Sequence, residues 1–306
     1  MAKSVPKQNA IDTSNFVPSV FIIGFLLVGF IPNLEAVDKI APQWLYLSIL
    51  NFLCGIFLFY HRKSFQEQFL AVLSSLISWF YIGFVLWAAL SYFYAINPTE
   101  VLVNIVRHLN TLFMFLHLCI LLYNIKDKNR LLSLAIMVIL SIEVYAVLEQ
   151  ALAMYKAGGI NPGELKGVTA NRNITAFSIA IKIPYVLYLV NRSPKLWIKL
   201  LYAFLILLSL FSLSMIQSRA SFLAAALISV LLFAWTLMSY IKTRSFKDFM
   251  PNLFYTLPLL LALMLNQALV SSTGANALSR AATISVRTND GSVNQRLRYY
   301  EDVLTH

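Results

Sequence analysis

Apolar residues occur along this chain in long, nearly unbroken runs, and polar residues fill the short stretches between them. Runs of about 17–25 apolar residues have the length that an α-helix needs to cross a bilayer. The pattern therefore predicts an all-α, polytopic transmembrane helical bundle. We place nine spans, at residues 16–31, 42–60, 69–94, 110–123, 131–152, 174–190, 198–215, 220–240 and 252–270.

Composition agrees with this prediction, because 59% of the residues are hydrophobic and only 12% are charged, whereas a soluble domain carries about 25% charged residues. The formal charge of +11 at pH 7 raises the question of nucleic-acid binding. Most Lys and Arg residues fall in the loops between apolar runs, however, as membrane orientation requires. We therefore discount nucleic acid as a partner. Cys54 and Cys119 lie inside apolar runs, which disfavours a disulfide framework or a metal site.

Alternate connections between the spans differ in their number of cations, thirteen in one set and six in the other when the C-terminal tail is left out. Because cytoplasmic loops carry the excess of Lys and Arg, we predict a cytoplasmic N-terminus and an extracytoplasmic C-terminal tail. The richer set is Lys3, Lys7, Arg62, Lys63, Lys126, Lys128, Arg130, Arg192, Lys195, Lys199, Lys242, Arg244 and Lys247, and the poorer set is Lys39, Arg107, Lys156, Lys166, Arg172 and Arg219.

Two extracytoplasmic segments are longer than simple turns. Residues 153–173 are rich in Gly, Pro and Asn and predict an irregular loop. The tail, residues 271–306, begins without periodicity and favours a helix from Ser292 onward, with Asp290 or Ser292 as its cap. We thus expect a transmembrane bundle over residues 1–270, followed at 271–306 by the start of an extracytoplasmic loop that is incomplete.

The outer start of the eighth span, residues 217–221 with the sequence QSRAS, combines a cation with small hydrogen-bonding residues. The first N–H groups of a helix are unpaired, and its dipole is positive there. Arg219 adds a fixed fork of N–H donors, Gln217 can donate, and Ser218 or Ser221 can cap or donate. Together they predict an anion site suited to phosphate oxygens. The alternative is an interfacial arginine that reaches the lipid headgroups.

Two further groups of residues on the same side carry charge. In the tail, Arg296 and Arg298 form a solvated helix face, with an Arg298–Asp302 pair, or alternatively Arg296 folds back and supplies a second cation opposite Arg219. Two separated guanidinium groups suit a diphosphate leaving group, on which negative charge grows as its bond breaks. At the outer end of the sixth span, Arg172 stands between Asn171 and Asn173. This stretch predicts helix capping by Asn173 or Thr175, or a contribution to an anionic or sugar site.

Charged residues within apolar runs are costly in a bilayer and therefore functional candidates. Glu143 and Glu149 lie in the fifth span, and Lys182 lies in the sixth, just before Pro184. Counting about 1.5 Å of rise per residue, Glu143 and Lys182 lie at depths that long side chains can bridge. An intramembrane ion pair is the simplest prediction, and proton or ion transport is the alternative. Metalloprotease, serine-hydrolase and phosphate-loop motifs are missing from the sequence, so we predict no metal and no cofactor.

Three segments resemble, in order, the O-antigen ligase and O-antigen polymerase superfamily of bacterial envelope proteins: GVTANRNITAFSIAIKIPYVLYL, IQSRASFLAAALISVLLF and SVNQRLRYYEDVL. Residues 87–109 are similar to that family's third span and the outer loop after it. The resemblance implies a multi-pass glycosyltransferase of the bacterial inner membrane. Its donor would be a glycan linked to a polyprenyl diphosphate such as undecaprenyl diphosphate, used at the periplasmic face without metal or nucleotide.

The resemblance further implies that Arg219 and Arg296 bind the donor diphosphate, and Asn171 and Asn173 match the family's Asn-x-Asn. The acceptor would be the hydroxyl of a lipid, a glycan or a protein. The family carries a histidine in a large outer loop that activates this hydroxyl; here the sequence reaches only His306, to which we assign no catalytic role. Repeat-unit polymerase, protein O-oligosaccharyltransferase, transporter or flippase, and inactive fragment stay as alternatives.

Overall fold

The structure, a computed structural model, describes residues 16–32, 35–38, 40–123, 125–169 and 171–270 together with Arg298; for 219–221 and 270 it describes the backbone alone. Over these residues it contains ten α-helices and no strand. Eight helices within the same ranges are long and apolar enough to cross a membrane, and Phe16–Leu26 is a shorter apolar helix. The all-helical fold is confirmed over these residues, and the eight apolar helices indicate a multi-pass membrane protein.

The helices alternate with short connections and with 3-10 turns, the latter at Val28–Phe30, Ser91–Phe93, Gly167–Thr169 and Phe246–Phe249. In chain order they are α1 (Phe16–Leu26), α2 (Ala41–Tyr60), α3 (Gln66–Leu73), α4 (Leu76–Leu90), α5 (Pro98–Tyr123), α6 (Lys128–Lys156), α7 (Arg172–Arg192), α8 (Leu196–Ile216), α9 (Arg219–Thr243) and α10 (Met250–Val270).

Three predicted spans differ from the helices observed. The first, predicted at 16–31, is an α-helix only over Phe16–Leu26 and continues as a 3-10 turn at Val28–Phe30. The third is divided, because Ser75 adopts an extended conformation (φ −72°, ψ 131°) that ends α3 and starts α4. The fourth begins twelve residues before 110, at Pro98, so the segment expected to be an outer loop is helical. Asn97 explains this start, since its Oδ1 accepts the N–H of Glu100 at 3.3 Å, and proline suits the first helical position, where its missing N–H costs nothing.

By their internal contacts, the residues divide into two compact units, unit 1 (residues 1–135) and unit 2 (residues 136–306). The boundary between the units lies within α6, whereas the sequence predicted a single bundle over residues 1–270. The core of unit 1 joins α1, α2 and α5 through buried residues that include Ile22, Phe25, Leu47, Cys54 and Leu121.

A neutral polar cluster, here called the amide network (Asn51, Asn110 and His117), bridges α2 and α5 within unit 1. The Asn51 side chain is 6% exposed, and its Nδ2 donates to the backbone oxygen of Asn110 at 2.9 Å. His117 Nδ1 lies 3.1 Å from Asn51 Oδ1. An amide oxygen only accepts, so in this pair His117 Nδ1 carries the proton.

In unit 2, α7 is the most enclosed helix, with nine buried residues along its length. It contacts α8, α9 and α10, and its buried side chains Ile179, Ile183 and Val186 share one core with Val144 and Val147 of α6. Because α7 is packed by several neighbours, the residues at its ends are held in fixed positions. The candidate site lies at its N-terminal end.

Candidate functional site

Asn171 caps the N-terminal end of α7. The prediction from the sequence, that Asn173 or Thr175 is the cap, is wrong. Asn171 has extended backbone (φ −135°, ψ 117°), and its Oδ1 accepts the N–H of Asn173 at 2.9 Å and that of Ile174 at 3.5 Å. An N-cap must immediately precede the first helical residue and accept from the second or third. Asn173 and Thr175 already lie inside the helix and cannot fill that role.

Thr175 instead fixes the preceding loop against α7. The residue is fully buried; its Oγ1 donates to the backbone oxygen of Lys166 and lies 2.6 Å from Thr169 Oγ1. Gly167 is required at the point of closest approach: its φ is +57°, and a Cβ there would lie 2.8 Å from Thr175 Cγ2. A left-handed backbone with no room for a side chain is a position for glycine.

The same loop is held from α6 by Gln150, a residue that the sequence analysis missed. Its Oε1 accepts the N–H groups of Lys166 at 3.2 Å and Gly167 at 3.0 Å, and its Nε2 donates to the Gly167 oxygen at 3.3 Å. The irregular loop is shorter than the predicted range 153–173, because α6 continues to Lys156. The last part of this loop is bonded to α6 through Gln150 and to α7 through Thr175. A glutamine near the C-terminal end of an apolar run was the available signal.

The turn between α8 and α9 contains only Gln217 and Ser218. Gln217 ends α8 in the left-handed region (φ 51°, ψ 36°), and Ser218 is extended, so that α9 begins at Arg219. Gln217 and Ser218 are buried, at 4% and 3% exposure. The side chains of Arg219 and Ser221 lie outside the described part of the structure, so their proposed roles stay predictions.

Ser218 occupies the N-cap position of α9, but its side chain makes no capping hydrogen bond. Its Oγ donates instead to Oδ1 of Asn173, at 2.9 Å. Asn173 follows Arg172 in the sequence, and Ser218 precedes Arg219. One hydrogen bond thus brings together the beginnings of α7 and α9, and with them two segments that the sequence analysis selected separately.

This junction concentrates positive electrostatic potential. Two helix N-termini meet there, each with the positive end of a helix dipole, and each of the two helices begins with an arginine. At α7, Asn171 already accepts the N–H groups of Asn173 and Ile174, so the dipole and Arg172 provide the positive charge. Arg172 is half-buried and lies beside the loop, its Nη1 3.9 Å from where a Cβ on Gly163 would be. Asn171 and Asn173 are exposed. An arrangement of this kind suits an anion with several oxygens.

The predicted second cation is not placed. Arg296, Asp290, Ser292 and His306 lie outside the described residues. Arg298 has helical backbone and an exposed side chain. The expected convergence of Arg296 on Arg219 therefore stays a prediction.

The ion pair predicted between Glu143 and Lys182 is confirmed, and it joins α6 and α7, two candidate membrane spans. Lys182 Nζ lies 2.8 Å from both carboxylate oxygens of Glu143, and the two side chains are 15% and 6% exposed. Ser178 Oγ donates to Glu143 Oε1 at 2.8 Å. We call Glu143, Ser178 and Lys182 the ion-pair network. Glu149, by contrast, is exposed.

Over the described residues, no group of three or more His, Cys, Asp or Glu side chains is placed to hold a metal ion. Comparison of the chain with protein-family models, with curated proteins and with solved structures finds no match.

Proposed function

We propose that this chain is, or belongs to, a multi-pass glycosyltransferase of the bacterial inner membrane. It would transfer a glycan from a polyprenyl-diphosphate donor to an acceptor hydroxyl at the periplasmic face. The proposal includes nine spans with a cytoplasmic N-terminus and an extracytoplasmic C-terminal tail. In that orientation, the junction of α7 and α9 faces the periplasm, where the lipid-linked donor presents its diphosphate.

The observation that carries the proposal is the hydrogen bond from Ser218 to Asn173. It joins the N-terminal ends of α7 and α9. Arg172 directly precedes Asn173 in the sequence, and Arg219 directly follows Ser218. A diphosphate bears several negative oxygens, and two guanidinium groups beside the positive ends of two helix dipoles would neutralise it. The resemblance of three sequence segments to the O-antigen ligase and polymerase superfamily supports the same function.

In the proposed reaction, the acceptor oxygen forms a bond to the anomeric carbon as the bond from that carbon to the diphosphate oxygen breaks. The electron pair of the broken bond leaves with the diphosphate, and the acceptor proton passes to a base. Arg219, Arg172 and, by prediction, Arg296 stabilise the negative charge that grows on the leaving group. Gln217, Ser218, Ser221, Asn171, Asn173 and Arg298 contribute to donor binding in the same proposal.

The test compares the two ends of the same helices. Purified full chain is titrated with undecaprenyl diphosphate after substitution at the N-terminal ends (Arg172→Ala, Arg219→Ala) or at the C-terminal ends (Arg192→Ala, Lys242→Ala). A hydrogen bond to a charged group contributes about 1.5–3 kcal/mol, or roughly 10- to 150-fold in affinity. We expect at least about tenfold weaker binding for each N-terminal variant and unchanged binding for the C-terminal pair.

Equal losses in all four variants would reduce the effect to general attraction between cations and an anionic lipid, and the proposal would fail. Unchanged binding in Arg219→Ala would remove the residue on which the mechanism depends. Ligase, polymerase and protein O-oligosaccharyltransferase activities share this donor step, so they are separated by the acceptor that is modified.

A transporter or flippase remains the alternative, because the ion-pair network places two charges among candidate membrane spans. Lys182→Met alone leaves Glu143 unpaired and destabilises the fold, so its effect on activity is ambiguous. The double variant Glu143→Gln/Lys182→Met removes both charges together. A glycosyltransferase that uses the α7–α9 junction keeps its activity in the double variant, whereas a transporter that moves ions through these charges loses it. An inactive fragment transfers no glycan in any variant, whether it binds undecaprenyl diphosphate or merely inserts in the membrane.

A further inference from the structure

A groove of about 620 Å³ opens in unit 1, on the surface formed by α2, α3 and α5. Its size lies within the range of about 300–1,000 Å³ typical of sites for small organic ligands. The walls are mainly apolar and include large side chains that are about half exposed, such as Phe69 (52%) and Phe113 (48%). A second groove of about 680 Å³ shares Gly55, Phe59, Phe113 and His117 with it. The two therefore adjoin along α2 and α5.

Two cations line one end of the first groove. Arg62 and Lys63 directly follow the C-terminal end of α2, which places them at one end of a candidate membrane span. The Arg62 guanidinium carbon lies 5.2 Å from the centre of the Phe59 ring, which holds this charge over the groove wall. Within the described ranges, the ion pairs are Arg107–Asp38 and Lys182–Glu143, and neither includes these two residues. Glu67 does not line the groove.

We propose that this groove binds one anionic phospholipid. Its phosphate would lie at Arg62 and Lys63, and its acyl chains would follow the aromatic walls toward Gly55. Basic residues beside the end of a membrane helix attract anionic lipids, and the charge at one end with an apolar surface beyond matches the two parts of such a molecule. A protein partner fits less well, because helix contacts in membranes favour small residues and these walls carry Phe59, Phe69 and Phe113.

Gly55 provides a way to fill the groove without changing charge. A Cβ there would have only His117 Nε2 nearby, at 3.9 Å, which is an ordinary contact, so a larger side chain extends into the open space. Gly83 on α4 is the matched control. A Cβ there meets nothing within 4 Å, and the residue is exposed. The two Gly→Leu variants make the same chemical change to two membrane helices of unit 1.

Native mass spectrometry of the purified full chain, with equimolar phosphatidylglycerol and phosphatidylcholine, tests the proposal. Each cation near an anionic lipid contributes about fivefold, so two give a preference for phosphatidylglycerol of about 25-fold. We expect Arg62→Gln/Lys63→Gln to remove this preference and Lys126→Gln/Lys128→Gln to keep it. We expect Gly55→Leu to lower phosphatidylglycerol binding by at least about fivefold and Gly83→Leu to leave it unchanged.

The outcomes separate the parts of the proposal. Equal binding of the two lipids overturns it. Equal losses in the two double-Gln variants show general surface attraction, and a preference that survives Gly55→Leu places the lipid elsewhere; either result overturns the assignment to this groove. A benzoylphenylalanine at position 69 that crosslinks to protein and not to lipid identifies another chain segment or a second copy as the occupant, which also overturns it. None of these measurements involves the α7–α9 junction.

Discussion

The amide network of unit 1 and the ion-pair network of unit 2 solve the same problem with different chemistry. Each joins two candidate membrane helices through buried polar side chains, α2 to α5 in one case and α6 to α7 in the other. The amide network is neutral, whereas the ion-pair network contains two full charges. In a bilayer, this difference determines how much the fold loses when one member is removed.

A charge inside a bilayer costs about 2.5–3.5 kcal/mol even on permissive insertion scales, whereas a hydrogen bond between membrane helices averages about 0.6 kcal/mol. The ion-pair network therefore depends on both partners being present, since either charge alone is left buried without compensation. The amide network loses only hydrogen bonds when a member is replaced. The comparison shows that the packing of α6 on α7 is stable only when both charges are present. The amide network adds only a modest amount to the stability of the α2–α5 contact.

The largest effect that we predict is that of Lys182→Met. Glu143 then keeps the Ser178 hydrogen bond but loses the ammonium group 2.8 Å away. Breaking a buried ion pair by removing one partner costs about 3–5 kcal/mol. We expect the free energy of unfolding, measured by SDS titration in mixed micelles, to fall by that amount.

The double variant Glu143→Gln/Lys182→Met is the control for Lys182→Met. Replacing both members of a buried ion pair by neutral groups of similar volume is often close to neutral, so we expect it to recover most of the lost stability. A double variant as unstable as Lys182→Met would show that the side-chain shapes, and not the charges, hold the two helices together. The contrast between the two networks would then disappear.

A smaller effect is expected for Asn51→Leu in the amide network. The substitution removes the acceptor of His117 Nδ1 and the donor to the Asn110 carbonyl. A buried polar group without its partner costs about 1–3 kcal/mol, and membrane measurements favour the lower end. We expect a loss of about 1–2 kcal/mol in the same SDS titration.

Ser48→Ala on the same helix is the matched control for Asn51→Leu. Its hydroxyl bonds back to the Trp44 carbonyl, within α2, so removing it leaves the contact with α5 intact. A loss for Asn51→Leu no larger than that for Ser48→Ala would mean that the amide network does not stabilise unit 1.

The Glu143–Lys182 pair was predictable from the sequence, whereas the contribution of Ser178 and the whole amide network were not. Charges in apolar runs are rare, and opposite signs at bridgeable depth in consecutive spans indicate a partner. Asn51 and His117 are neutral and 66 residues apart, and a neutral polar residue in an apolar run does not indicate which helix it faces. The position of α2 relative to α5 supplies that information, and only the fold contains it.

The helices show a similar limit. Apolar run length predicted α2 and α8 to within about two residues at each end, because the bilayer sets the length of such runs. The first half of α5 was missed, since Glu100, Asn104 and Arg107 give it a polar side that hydropathy alone assigns to a loop. Arg107 in fact pairs with Asp38 at 2.9 Å and lies over the Trp44 ring.

At the candidate site, the sequence indicated the parts but not their junction. Asn171, Arg172 and Asn173 were selected as a possible cap or anion site, and residues 217–221 as a separate anion site. Their contact depends on how α7 and α9 pack, which no local pattern encodes. Gln150 was missed for the same reason, because its partners are backbone groups of a loop sixteen and seventeen residues away.

The smallest effect that we predict is the coupling free energy between Asn51 and His117. It can be compared directly with the coupling free energy between Glu143 and Lys182. We would measure it by a double-mutant cycle of Asn51→Leu and His117→Phe, since phenylalanine keeps the ring contacts with Phe25 and Phe113. A single neutral hydrogen bond between membrane helices predicts a coupling of about 0.6 kcal/mol. The corresponding cycle of Glu143→Gln and Lys182→Met should give several times this value, because each single variant leaves one charge unpaired. Equal coupling free energies in the two cycles would contradict the comparison. They would show that the charges of Glu143 and Lys182 add nothing to the association of α6 with α7 beyond a neutral hydrogen bond.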